Sequence, residues 1–136
     1  MIEVKEKTFA NATNSKKKGD IGLGVAIGYF TEKGYTVSIP LTDSQDYDLI
    51  VDIPNEGVKR VQIKTTEFKT KHGVYNINLS VKGGNRSFNT IKKFDWKCSD
   101  YLFVYTSDKR KFFIPTWENM PKGGMNLGKD KEQFLV

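Results

Sequence analysis

The chain opens its ordered pattern with one helical stretch and continues with short alternating runs. Over residues 16–33 the apolar positions Ile21, Val25 and Tyr29, and Leu23, Ile27 and Phe30, recur at helical spacing. Ser15 is placed to cap this helix, and Gly34 to end it at C′. Gly22, Gly24 and Gly28 lie inside it, each costing about 1 kcal/mol relative to Ala. Close approach of the helix to a sheet is the return that would offset this. A phosphate loop fits less well, since no strand precedes these glycines and no Gly-Lys-Thr/Ser follows.

Strands are predicted at 35–40, 47–53, 58–66, 74–81, 100–106 and 111–115. Pro54-Asn55-Glu56-Gly57 and Ser107-Asp108-Lys109-Arg110 read as the turns of two hairpins. The run at 100–106 is the most apolar and reads as central. Residues 88–97 are predicted as a short helix, and 116–136 as a helical turn at best followed by a mobile tail. There is no repeat, low-complexity tract or linker. The expectation is a single α/β (α+β) domain over residues 1–136, with 1–14 and about 120–136 peripheral.

In the first hairpin, alternation separates two faces. Odd positions (Tyr47, Leu49, Val51, Val61, Ile63) are apolar, and most even ones (Asp46, Asp48, Asp52, Arg60, Gln62, Lys64, Thr66) are polar. A turn centred on 55–56 makes partner numbers sum to about 110 or 112. Asp48 then lies opposite Gln62 or Lys64. A carboxylate, an amide oxygen and an ammonium converge beside Ile50.

Composition sharpens this picture. The 136 residues include 22 Lys+Arg against 16 Asp+Glu, for a net charge of +6. Residues 34–58 hold five acids and no Lys or Arg; residues 59–111 hold thirteen Lys+Arg and four acids. An acidic pocket within a basic surface suits a metal site that handles a polyanion. An unevenly charged solvated surface fits the same numbers. One cysteine, Cys98, excludes an intrachain disulfide framework, and one histidine, His72, excludes a His-rich metal site. No apolar run nears the ~18 residues of a membrane span, and the start lacks an apolar signal core, so an intracellular setting is the default.

Hard divalent cations such as Mg²⁺, with Mn²⁺ as substitute, take oxygen ligands. Asp48, the Gln62 side-chain oxygen and the Ile63 backbone carbonyl offer such a set. Lys64 beside the ion can orient or deprotonate a water and offset charge developing on a phosphate. An amphipathic hairpin with an Asp–Lys cross-strand pair, worth ~0.2–1 kcal/mol, accounts for the same spacing without chemistry.

The order Lys18-Gly19-Asp20-Ile21-Gly22, Gly34-Tyr35, Tyr47-Asp48-Leu49-Ile50-Val51 and Val61-Gln62-Ile63-Lys64-Thr65-Thr66 resembles the PD-(D/E)xK nuclease superfamily. It is similar in particular to the group I intron-associated homing endonucleases, and more distantly to archaeal Holliday junction resolvases. Asp100–Tyr105 and Phe113-Ile114-Pro115 match the last two strands of that branch, so the resemblance spans about residues 15–120. It implies a restriction-endonuclease-like core, a mixed central sheet flanked by helices, and metal-dependent DNA endonuclease activity. Asp48 matches the metal-binding aspartate, Gln62 the (D/E)xK acid and Lys64 the catalytic lysine. Gln62 departs from the superfamily acid, although a glutamine is known in the homing branch. Many members carry a glutamate on the first helix where this chain has Leu23. Asp20, three residues earlier, is the substitute ligand.

The implied partner is double-stranded or branched DNA, cut by a homodimer or homotetramer. Phosphate contacts are expected from Lys16, Lys17, Lys18, Thr65, Thr66, Lys69, Lys71, Arg86, Lys92 and Lys93. Asn76 and Asn78 read either as base-edge contacts or as an exposed strand face. His72 is expected in an exposed loop, Cys98 as a small hydrophobe, and Trp96 and Trp117 as core or dimer contacts. The rival expectation is a non-catalytic DNA-binding protein of the same fold, favoured by Gln62 and Leu23. A protein-interaction module fits the charge segregation poorly.

Overall fold

A computed structural model describes residues 15–67, 69–82 and 91–136. Helix α1 (Ser15–Glu32) is followed by strands β1 (Thr36–Ser38), β2 (Leu49–Ile53), β3 (Gly57–Thr66), β4 (Asn76–Asn78), β5 (Val81–Lys82) and β6 (Ile91–Lys92). A 3-10 turn (Trp96–Cys98), β7 (Tyr101–Thr106), β8 (Lys111–Pro115), β9 (Gly124–Asn126) and a 3-10 helix (Lys129–Phe134) complete the order.

Ser15 is the first helical residue rather than a cap preceding it. The end follows the sequence closely. Gly34 adopts φ +82, the Tyr35 N–H bonds the Phe30 carbonyl at 3.0 Å, and the two rings stack at 6.4 Å. This is a Schellman stop with its apolar contact.

The main sheet has five strands in the order β1-β2-β3-β7-β8. All pairs are antiparallel except β3–β7, which is parallel in the register Gln62↔Leu102, Lys64↔Val104. The sheet is therefore mixed, as anticipated. β3 holds the middle place, with the apolar β7 beside it. Arg60 and Asp100 clamp the shared start of that parallel pair. The Arg60 N–H and Nε donate to Asp100 Oδ2 at 2.8 and 3.2 Å, and Nη2 to Oδ1 at 3.3 Å.

Both faces of the sheet are covered. On one, Ala26 and Phe30 of α1 pack with Leu49, Val51, Val61, Phe103 and Tyr105. The buried line of the helix is Gly22-Ala26-Phe30, and of the two apolar stripes seen in the sequence only Phe30 is fully buried, the others being partly buried. Small residues on that line let the helix sit close. A Cβ on Gly22 would lie 2.4 Å from Thr65 Cγ2. Gly24 and Gly28 face open space, so close approach accounts for Gly22 alone.

On the other face, Leu102, Val104, Phe112 and Ile114 pack against Tyr75, Ile77, Leu79, Phe94, Met120, Met125 and Leu127. This second layer departs from the sequence reading. The run 74–81 divides, with β4 pairing β9 and β5 pairing β6. No helix occupies 91–97: Ile91–Lys92 form a strand and only Trp96–Cys98 turn, with Asp95 capping the Lys97 N–H. Residues 88–90 of that predicted helix lie outside the described residues. The end of the chain is packed rather than loose, because Met120, Met125 and Leu127 seal the second core and Leu135 bridges Phe112.

Candidate active site

The β2–β3 turn sets the site. Asn55 (φ 70) and Gly57 (φ 89) take left-handed conformations, and the Glu56 N–H bonds the Ile53 carbonyl at 3.0 Å. The resulting register pairs Leu49 with Val61 and Ile50 with Arg60, the first of the two anticipated alignments. Regular pairing then stops. The Asp48 N–H bonds the Val61 carbonyl at 2.9 Å, and Asp48 Oδ2 accepts the Ile63 N–H at 2.7 Å. A side-chain carboxylate thus replaces a backbone carbonyl at the end of the ladder. N–H and C=O of one strand residue point to the same edge, so the Ile63 carbonyl faces the edge that carries Asp48.

Asp48 joins Gly19, Asp20, Leu23, Ile63 and Thr65 around a cleft of about 280 Å³ between α1 and β3. Asp20 and Leu23, the two helix positions singled out in the sequence, both reach it. Burial pushes the Asp48 carboxyl above its ordinary value, opposed by the Ile63 hydrogen bond and the Lys64 charge. Burial pushes the Lys64 amine below its ordinary value, opposed by the Asp48 charge. The pair lies in an environment that resists charge on both.

Gln62 corrects the simple two-face picture. It lies on the face away from α1, opposite Leu102 of β7, and is 6% exposed. The even face of β3 is buried there, because the layer that carries β4 and β9 packs over that face of the sheet. Gln62 Oε1 has no hydrogen-bond partner among the described residues. An orphaned buried amide oxygen costs about 1–3 kcal/mol and invites a ligand. Asp48, Gln62 Oε1 and the Ile63 carbonyl are all hard oxygen donors, so the donor types fit a divalent cation. No group of three His, Cys, Asp or Glu suited to a metal occurs among the described residues.

The phosphate-contact candidates divide. Lys16 and Lys17 are exposed at the helix start. Lys18 pairs with Glu67, an acid the sequence did not single out. Thr65 lines the Asp48 cleft and also a second groove of about 400 Å³ with Ser15, Lys18, Thr66, Glu67, Asn76 and Asn78. Thr66 is buried, and its hydroxyl donates to the Asn76 carbonyl at 2.6 Å, a structural bond between β3 and β4. Lys69 lies over the Tyr75 ring, 4.8 Å from its centroid. Lys71 and His72 are exposed in the loop before β4. Lys93 borders a separate cleft with Trp96, Lys97 and Lys122. Lys92 belongs to β6, and Arg86 lies outside the described residues. Cys98 is partly buried, as anticipated; Trp96 packs at the margin of the second core, and Trp117 is 38% exposed.

A family model described as PD-(D/E)XK endonuclease matches residues 13–127. Among solved structures, a bacterial homing endonuclease, I-Ssp6803I, superposes with a TM-score of 0.67 at 24% identity, covering 85% of this chain and 79% of that one. The two share their fold. No curated protein matches the sequence. No helix among the described residues is long and apolar enough to cross a membrane.

Proposed function

The chain belongs to the PD-(D/E)XK endonuclease family, and on that premise we propose that it is a metal-dependent DNA endonuclease, similar to homing endonucleases or junction resolvases. The orphaned Gln62 Oε1, on the strand that also presents Lys64 and bonds Asp48, carries this reading. Asp48, Gln62 and the Ile63 carbonyl would hold Mg²⁺ or Mn²⁺; of these, Asp48 and Ile63 share the cleft with Asp20, whereas Gln62 lies on the other face of β3. The cation would supply positive charge against the scissile phosphate. Lys64, shifted by burial toward its neutral form, orients the attacking water and accepts its proton. A single chain of 136 residues covers little DNA, so cutting both strands of a duplex calls for two or more copies.

Calorimetry with Mn²⁺, alongside single-turnover cleavage of supercoiled plasmid, tests the assignment. Gln62→Glu should bind Mn²⁺ more tightly than the native chain, and Asp48→Ala more weakly. Asp48→Ala and Lys64→Ala should each abolish cleavage. Equal heats for all three proteins would remove the cation from this place. The absence of a third acidic ligand among the described residues favours a second reading, a DNA-binding protein that no longer cuts. Mn²⁺ binding without cleavage by the native chain would select it.

A further inference from the structure

Beside the Asp48 cleft runs a ribbon that the cleavage chemistry does not use. β4 and β9 pair antiparallel in the register Asn76↔Asn126, Ile77↔Met125, Asn78↔Gly124. Ile77 and Met125 are buried in the second core. Alternation therefore places Asn76, Asn78, Asn126 and Gly124 together on the opposite face. Asparagine and glycine are disfavoured in strands, yet they fill four of these six positions. The ribbon gives up strand propensity for a surface of uncharged amides.

Those amides are set rather than loose. Asn76 Nδ2 donates to Asn126 Oδ1 at 2.7 Å, and Asn78 Oδ1 accepts the Ser80 N–H at 2.9 Å. This geometry leaves a second lone pair on Asn126 Oδ1 and amide protons on Asn126 and Asn78 for an outside partner. Gly124 adds no side chain between them. Asn76 and Asn78 line the groove of about 400 Å³, whose wall Thr65 is also a wall of the Asp48 cleft. Lys18 lines this groove at the start of α1, and Glu67, the one acid among the described residues that line it, is paired with Lys18. A polyanion engaged at Asp48 would pass directly over the ribbon.

We propose that the β4–β9 ribbon lies in the major groove of duplex DNA and reads base edges beside the scissile phosphate, with Asn126 and Asn78 as specificity-determining amides. This rests on the DNA-cleaving reading only for the place of the duplex. A two-stranded ribbon fits the major groove, and an asparagine amide pairs two-fold with the N6 and N7 of adenine. Positions facing the ribbon should therefore prefer A·T. Duplex RNA, whose deep and narrow major groove excludes side chains, should compete poorly.

The test is selection of bound sequences from a randomised DNA duplex library in EDTA, where no cutting occurs. It uses the full chain, Asn126→Ala, Asn126→Gln and Asn78→Ala. The native chain should enrich A·T at defined positions. Each Ala variant should lose about 10- to 100-fold of that preference at one or two positions. Their affinity for random-sequence duplex and its salt dependence should stay within about threefold. Asn126→Gln should alter the preferred base. Asn78→Ala removes an exposed side chain and its bond to the Ser80 N–H but leaves the Asn76–Asn126 pair in place, and so covers the case in which loss of the Asn76 partner unfolds Asn126→Ala. Identical selected sequences in all folded variants, an affinity loss equal on every sequence, or no enrichment by the native chain would overturn the proposal. Plasmid cleavage in Mn²⁺ separates the two readings. Selection without cleavage sinks the nuclease alone, and cleavage with unchanged selection sinks the ribbon alone.

Discussion

Replacing each interior glycine of α1 by alanine should change stability in opposite directions at different positions. Alanine gains about 1 kcal/mol over glycine in a helix interior. At Gly24 and Gly28 none of the described residues stands within 4 Å of the new methyl, so Gly24→Ala and Gly28→Ala should each stabilise by about that amount. At Gly22 the methyl would meet Thr65 Cγ2 at 2.4 Å and Ile63 Cγ2 at 3.4 Å. Relieving the first contact needs a shift of about 1 Å, and overpacking of this kind costs about 1–3 kcal/mol. The cost equals or exceeds the helix gain, and Gly22→Ala should end about 1–3 kcal/mol below Gly24→Ala. Urea unfolding measures this directly, and in a chain of this length each kcal/mol moves Tm by roughly 4 °C. Thr65→Ser removes the offending methyl and should recover much of the loss in the Gly22→Ala background. Cleavage should fall in Gly22→Ala as well, because Thr65 is a wall of the Asp48 cleft. A Gly22→Ala protein as stable as Gly24→Ala would refute close packing of α1 on β3.

Gln62→Met fills similar volume without the orphaned oxygen, so it should raise stability by about 1–3 kcal/mol in EDTA while ending Mn²⁺ binding; an unchanged or lower stability would mean that Oε1 is satisfied. Burial raises the Asp100 carboxyl, but the hydrogen bonds and charge of Arg60 outweigh it and hold the group below its ordinary value. Its contribution is then present above about pH 4 and lost as pH falls through the depressed value. Asp100→Asn should cost about 1 kcal/mol at pH 6, a figure reduced for partial exposure of the pair, and progressively less as pH falls through the depressed value. DNA affinity should fall linearly on a log–log plot against salt, and a flat titration would point to a partner other than a polyanion.

The parts of this fold that sequence pattern revealed are the parts closed by short connections. Gly34 announced the helix stop, and the Pro54–Gly57 turn narrowed the β2–β3 register to two alignments, of which the structure takes one. The β7–β8 hairpin followed from its apolar runs and the polar turn between them. What stayed hidden depends on partners far along the chain. Gln62 reads as a solvent-facing polar residue until β7 pairs beside it and the β4–β9 layer packs over that face. The Gly124–Asn126 strand is too short to show a period and exists because Asn76–Asn78 lies ready to pair. The ladder break at Asp48 needs its side chain to outcompete a backbone carbonyl, which alternation cannot foresee. At the candidate site, Asp48, Gln62 and Lys64 were singled out by the hairpin alternation and then by the family resemblance. Thr65 as common wall of two clefts, and Glu67 as partner of Lys18, were not.

The second layer also sets an order of assembly. β3 finds β2 across a four-residue turn, but the apolar cover over its Gln62 face is completed by Met120, Met125 and Leu127, more than fifty residues later. Contacts of that span form late, after their loop-closure cost has been met. During synthesis, which runs from the N-terminus, the β2–β3 hairpin is therefore made long before the environment that buries Gln62. A chain ending before Gly124 should bind a hydrophobic dye through its uncovered Leu102 and Val104 face and bind Mn²⁺ poorly. The strand that carries the proposed site is thereby kept incomplete until the closing ribbon docks, and the fold itself times when its surroundings come into being.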